Sequence, residues 1–300
     1  MGVATDRMNI LNLGSINVDH VYAVAHFVRA GETLAGTRYQ VFAGGKGFNQ
    51  SMALARAGAR VIHLGRMGRD AEWLLRRLQA EGVETAHITS DEAATGHAVI
   101  QVVPSGENAI VLYGGANLAL TDSDLDVALA ACSPGDYFLL QNETSLVAEA
   151  ISKAHARGMR VILNPAPMAA NILEAPLERV DMFILNETEA EGLTGQSKQD
   201  EILATMRRRF PRAATVLTLG HRGAVYADAT TSHHEAALRV TAVDTTAAGD
   251  TFIGYFLAEL MRGGDPAAAL KAGCRAAAIC VTRAGASDSI PHRNEVESIL

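Results

Sequence analysis

The stretch DMFILNETEAEGLTG, residues 181–195, holds an apolar run, an abrupt polar cluster and a short helical pattern. DMFILN (181–186) reads as a buried strand, NETEAE (186–191) as the polar group where it stops, and 187–193 as a helix. The unit recurs. NILNLGSI (9–16), ARVIHLG (59–65), DYFLLQ (136–141), MRVILN (159–164) and ATVLTLG (214–220) are further strands. KGFNQSMALARAG (46–58) and DAEWLLRRLQAEG (70–82) are helices with glycine stops, the second with Trp73, Leu74 and Leu78 on one face. Residues 145–157 and 199–209 are also helical in pattern. Strands alternating with helices give an α/β fold in three layers: a mostly parallel central sheet with helices on both faces.

One region breaks the alternation. TGHAVIQVVPSGENAIVLYGGAN (95–117) has two β-rich runs around a PSGEN turn, the pattern of an antiparallel hairpin. Residues 18–45 are also β-like and contain no helical pattern. The two insertions are expected to form a small β-sheet lid on a single domain spanning 1–300. No repeat, low-complexity tract or linker divides the chain.

Ligands of an open parallel sheet bind beyond the carboxyl ends of its strands. There the sequence places Asn17 and Asp19, Asn142 and Glu143, NPAP (164–167), NETEAE (186–191) and GHRG (220–223). Asn, Asp and Gly are ordinary loop residues one at a time; their repetition along one rim points to a site.

VDTTAAGDTF (243–252) sets Ala247, Ala248 and Gly249 ahead of Asp250 at the mouth of an apolar helix. Unpaired backbone N–H groups there attract anions, and Asp250 is placed to take a proton from a hydroxyl beside the anion. That layout suits phosphoryl transfer to an alcohol; the alternative is that Asp250 caps the helix while the small residues serve close packing. AGGKGFNQ (43–50) is the second glycine-rich element. It is no P-loop, because Gly47 follows Lys46, and it lacks the third glycine of a dinucleotide fingerprint. Lys46 and Asn49 as donors, with Asp19 and Glu143 as acceptors, suit a small polyol.

Composition narrows the field. The chain has 300 residues, 48% hydrophobic, with 26 basic against 33 acidic side chains and a net charge of −7. That balance argues against a nucleic-acid partner. Cys132, Cys274 and Cys280 lack metal-ligand spacing and read as reduced thiols of a cytoplasmic protein. No run reaches the roughly 18 apolar residues of a membrane span. The opening residues 1–8 fit neither a signal peptide nor a myristoylation site and read as a lead-in.

GSINVD (14–19), GETLAG (31–36), GGKGFNQ (44–50), NPAP, NETEAEGLTG (186–195), DTTAAGDTF (244–252) and VTRAGASDSIP (281–291) together resemble the ribokinase family of sugar kinases, also called the phosphofructokinase-B family. The likeness runs from about residue 9 to residue 297. It implies a ribokinase-like fold, ATP with Mg2+, and D-ribose phosphorylated on its primary 5-hydroxyl. By the same resemblance Asp250 is the base and Ala247, Ala248 and Gly249 form the anion hole. Asn17, Asp19, Gly45, Lys46, Asn49 and Glu143 hold the sugar beneath Ala98, Ile100 and Leu112 of the lid. Asn186 and Glu189 serve the phosphates and Mg2+. Thr218, Gly220, Gly223, Gly249 and Cys274 lie along the nucleotide. Asp244, Thr246, Cys280, Arg283, Gly285 and Ser289 are implied to hold a monovalent cation such as K+, largely through main-chain carbonyls. Two positions depart from the family: Cys274 replaces a common His or Asn near the adenine, and His221 replaces a smaller residue.

Other readings remain: a kinase for a nucleoside, ketohexose or sugar acid, or a sugar-sensing protein without catalysis. Lys46 stands where a nucleobase would leave, no additional rim cation suits a sugar acid, and an intact Asp250 and anion hole favour catalysis. A lone small sheet with an apolar outer face is marginal in water. Val99, Val103, Val111 and Tyr113, alternating with the sugar-facing positions, therefore imply a homodimer through the lid.

Overall fold

The computed structural model describes residues 8–298. The expected lead-in lies, except for Met8, outside them. The strands are β1 (Asn9–Leu13), β2 (Asn17–Ala23), β3 (Arg38–Gly44), β4 (Arg60–Gly68), β5 (Glu84–Asp91), β6 (Gly96–Val102), β7 (Asn108–Tyr113), β8 (Tyr137–Leu140), β9 (Arg160–Leu163), β10 (Met182–Asn186), β11 (Ala214–Thr218), β12 (Ala224–Ala227) and β13 (Ser232–Glu235). The α-helices are α1 (Lys46–Arg56), α2 (Glu72–Ala80), α3 (Asp122–Ala130), α4 (Val147–Ala156), α5 (Ala170–Leu173), α6 (Glu187–Thr194), α7 (Gln199–Arg209), α8 (Ala248–Met261), α9 (Pro266–Cys280) and α10 (Arg293–Glu297).

Nine strands form one sheet in the order β13-β12-β11-β10-β9-β8-β1-β4-β5. Pairing is parallel from β5 to β11, and antiparallel for β11–β12 and β12–β13. The sequence pattern located the parallel strands from β1 to β11 except β5, whose residues alternate half-buried and exposed at the sheet edge. The edge hairpin β12–β13 also went unassigned: β13 is SHHE and carries no apolar signal.

Alternation along each strand divides the core in two. Ile10, Leu139, Ile162, Ile184 and Val216 pack with Phe48, Leu74, Phe252, Phe256 and Leu270, from α1, α2, α8 and α9. Leu11, Leu13, Phe138, Leu140, Phe183 and Leu217 pack on the other side with Leu125, Ile151, Leu193 and Ile202, from α3, α4, α6 and α7. The three layers expected from the alternation are therefore present.

The small sheet has the order β3-β2-β6-β7. Both expected insertions contribute: β2 and β3 from the first, β6 and β7 from the second. Register places Asp19 opposite Phe42 and Ala98, and Ala98 opposite Leu112, so Asp19 and the apolar residues expected above the sugar share one face. Val99 and Val111 pair on the opposite face. Among the described residues, no helix is long and apolar enough to cross a membrane.

Candidate active site

The carboxyl ends of β1, β8, β9, β10 and β11 open towards one cleft, and both glycine-rich motifs start helices there. Gly45 is the N-cap of α1 at φ 89°, a conformation that suits glycine, and Ala247 is the N-cap of α8 at φ 61°. Neither makes a side-chain capping bond. At α8, Ala248 N–H reaches Thr245 O at 3.3 Å, whereas Gly249 and Asp250 N–H have no acceptor among the described residues. A side chain at Gly249 would meet nothing within 4 Å, so its bare backbone fronts open space.

Asp250 is buried and does not cap its own helix. Its Oδ2 accepts from Asn49 Nδ2 at 3.1 Å and its Oδ1 from Gln50 Nε2 at 2.9 Å. This geometry disposes of the capping alternative. Asn49 Oδ1 is buried without a partner, an acceptor waiting for a donor.

Asn17 is held by Asn117, whose Nδ2 donates to Asn17 Oδ1 at 2.7 Å and whose Oδ1 accepts from Ile16 N at 2.9 Å. Glu143 Oε2 accepts from Ser15 Oγ at 2.5 Å and from Lys46 N at 3.0 Å. Asp19 lies against Gly44, where a Cβ would overlap its carboxylate. Burial, followed by the charge of Glu143, raises the Asp19 carboxyl to about 6. Burial alone would lower the Lys46 ammonium, but Asp250, Glu143 and Glu189 outweigh it and raise the group. Burial raises Glu189, against the opposing pull of the Asn186 N–H and Lys46.

Asn186 and Glu189 form a capping box on α6: Glu189 N donates to Asn186 Oδ1 at 2.9 Å, and Asn186 N to Glu189 Oε2 at 3.0 Å. Both line one cavity with Lys46, Thr218, Ala247, Ala248, Gly249 and Asp250. A second cavity, of about 690 Å3, adjoins it at Thr218, Thr245, Ala248 and Gly249. Gly220, His221, Gly223 and Cys274 line it along with Leu238 and Val240. Burial pushes the Cys274 thiol up to about 12, which leaves it an uncharged, apolar wall.

The proposed cation residues also converge. Asp244 Oδ1 accepts from Thr246 N at 2.9 Å and its Oδ2 from Gly285 N at 3.0 Å. Cys280 Sγ lies 3.0 Å from Ser289 Oγ and 3.7 Å from Thr246 O. The Arg283 side chain turns away to Glu295, at 2.5 Å. Asp244 thus closes a loop while using one acceptor site on each oxygen. Among the described residues, no group of three or more His, Cys, Asp or Glu is arranged to hold a metal ion.

Ser15, Gln50, Asn117, Asn164 and Thr245 were not assigned from sequence. Gln50 and Asn164 stand inside quoted motifs, GGKGFNQ and NPAP, so their signal was present. Asn117 and Ser15 act on partners about 100 and 128 residues away, which no local pattern reveals.

Two glycine-rich helix starts at a buried carboxylate, beside a polar pocket and an adjoining cavity of about 690 Å3, define a phosphotransferase acting on a small alcohol. The model of the pfkB family carbohydrate kinases matches residues 8–293, and the chain belongs to that family. It is 40% identical to the ribokinase of Haemophilus influenzae, covering 98% of this chain and 99% of the relative. It is 34% identical to the deoxyribokinase of Salmonella typhi, covering 98% and 99%. The structure of Arabidopsis thaliana ribokinase complexed with ribose and ATP is similar at TM-score 0.87 and 28% identity, covering 97% of this chain and 98% of that one.

The Asp19 carboxyl should titrate near 6, and Glu143→Gln should move it downward by removing a like charge. Carbon-13 carboxyl shifts of the unliganded protein across pH 3–8 measure both. A value near the ordinary 3.8 in the native chain would contradict the burial seen here.

Proposed function

We propose that the protein transfers the terminal phosphoryl group of ATP to the primary 5-hydroxyl of D-ribose, yielding ribose 5-phosphate and ADP. The observation that carries this is the buried carboxylate of Asp250, held by two amides at the mouth of α8 and facing the cavity shared with Lys46. Asp19 and Glu143 accept sugar hydroxyl protons, with Asn17, Gly45, Lys46 and the open Asn49 Oδ1 completing the pocket. Ala98, Ile100 and Leu112 cover it. Asp250 takes the 5-hydroxyl proton as that oxygen attacks the phosphorus. The backbone at Ala247–Gly249 meets charge on the transferring group, and ADP departs along Thr218, Gly220, Gly223 and Cys274. Mg2+ brought with the nucleotide would neutralise phosphate charge, and Asn186 and Glu189 would be the side chains that serve it; such sites keep several waters and need few carboxylates.

The likeness to a deoxyribokinase favours one second reading, 2-deoxyribose as the substrate. The pair of acceptors Asp19 and Glu143 speaks for a vicinal diol, which 2-deoxyribose offers less fully. ATP consumption should therefore show kcat/KM for D-ribose about tenfold or more above that for 2-deoxyribose, because a carboxylate is left unpaired by the missing hydroxyl. The reverse order would assign the deoxy sugar. Asp250→Asn should retain sugar binding and lose about 10²–10⁴-fold in kcat. Near-native turnover would remove Asp250 from the chemistry.

A monovalent cation at the loop of Asp244, Thr246, Cys280, Arg283, Gly285 and Ser289 would steady the start of α8 by binding its carbonyls. The oxygens there suit an ion of K+ character, and Asp244 retains accepting capacity. KCl titrated at fixed ionic strength against a bulky organic cation should raise turnover saturably, and Asp244→Ala should abolish the rise. A flat response in the native enzyme removes the site.

The small sheet's outer face exposes Tyr39, Val99, Val111 and Tyr113, with Val111 69% exposed and Tyr113 54%. Such a patch fits a second copy across a two-fold axis. Sedimentation at micromolar concentration should report a homodimer, and a fully active monomer would refute the pairing. Three free cysteines suit a reducing cytoplasm.

A further inference from the structure

A chain of buried amides lies behind Asp250, and its hydrogen-bond directions are fixed from its far end. His63 Nε2 is 3.2 Å from Gly14 O, which only accepts, so this nitrogen carries the proton and Nδ1, 2.8 Å away, accepts from Ser51 Oγ. Asn12 Nδ2 donates to Gly47 O at 2.9 Å and to Ser51 Oγ at 2.8 Å. Asn12 Oδ1 must then face Gln141, whose Nε2 donates to it at 2.9 Å and to Gln50 Oε1 at 2.7 Å. Gln50 is left with one orientation: its Nε2 donates to Asp250 Oδ1 at 2.9 Å and to Asn164 Oδ1 at 3.1 Å. Asn164 is fixed in turn by donating to Ile184 O at 3.0 Å. Asn12, Gln50, Ser51 and His63 have no exposed surface at all.

An amide flipped at any link would set oxygen against oxygen in a buried site, where an unmade bond is costly. Backbone carbonyls at three points forbid the flip. The amide reaching Asp250 is therefore pre-oriented before any ligand arrives, which is how preorganised sites avoid reorganisation during reaction.

We propose that Gln50, oriented by Gln141 and Asn12, is a positioning residue of phosphoryl transfer: it fixes the plane of the Asp250 carboxylate so that its free lone pairs face the sugar hydroxyl. The proposal rests on the kinase reading above. Gln50 lines neither cavity and is removed from solvent, so it reaches the site only through the two residues that its amide holds, Asp250 and Asn164.

The test is a double-mutant cycle of Gln50→Met and Gln141→Met, side chains of similar length without the amide. Thermal unfolding and calorimetric sugar binding establish that each variant is folded. Gln50→Met should lower kcat about tenfold or more, with KM for sugar and ATP within about threefold of native. Gln141→Met, more distant from Asp250, should lower kcat in the same pattern because it releases the Gln50 amide. The double variant should lose no more than Gln50→Met alone, since both remove one oriented bond. Should Gln50→Met fail to fold, Gln141→Met by itself decides, through the same split of kcat against KM. Unchanged kcat, a change confined to KM, or losses that multiply in the double variant would each overturn the proposal. A native enzyme that favours another sugar overturns the ribose reading only, and the cycle is then run on that sugar.

Discussion

The closeness of α1 and α8 governs the site. A Cβ on Gly254 would overlap Ala53 and come within 2.7 Å of Leu54 N, so the absence of a side chain there lets the two helices touch. Both helices begin at the same rim of the sheet, and their contact places residues about 200 positions apart, Gln50 and Asp250, within one hydrogen bond. Two adjacent helix N-termini and Lys46 concentrate positive potential at that point. The carboxylates of Asp19, Glu143, Glu189 and Asp250 surround it. The upward shifts of Asp19 and Lys46 express the same crowding from opposite sides: burial dominates at the acid, while carboxylate charge prevails at the base.

The residues proposed to hold the sugar come from two parts of the fold. Asn17 and Asp19 stand on β2, which leaves β1 and enters the small sheet, whereas Lys46 and Asp250 belong to helices on the large one. On the function proposed above, a sugar held by all four residues would bridge the sheets. Substrate contact and closure of the small sheet would then draw on the same interactions, the arrangement by which lids shelter phosphoryl transfer from water.

Much of this was legible in the sequence because it is local. Period-two and helical patterns marked most strands and helices of the large sheet, the PSGEN turn marked β6–β7, and the polar groups after the strands marked the rim. β5 and β13 escaped because edge strands need no apolar alternation. Within the site, Asp250 and Lys46 announced themselves as charges beside glycines, and Asp19 as an acid just after the first strand. Asn12 did not: in NILNLGSI it is one polar residue in a buried strand, and its meaning lies in Gln141, 129 residues later. The loop of Asp244 was read as an ion site, but sequence could not show that both carboxylate oxygens also pin backbone N–H groups.

His63 carries a cost at low pH. Burial presses its folded value down to about 4 from the ordinary 6.5, so the folded chain excludes a proton that the unfolded chain accepts. Its contribution to stability is whole above about 6.5 and drains away as pH falls towards 4, on the order of 3 kcal/mol across that interval. A protonated ring would also present N–H to the Ser51 hydroxyl that now donates to it. Mild acid therefore strains the interior before it reaches most surface carboxylates, and the part of the core that yields is the far end of the hydrogen-bonded chain that leads to Asp250.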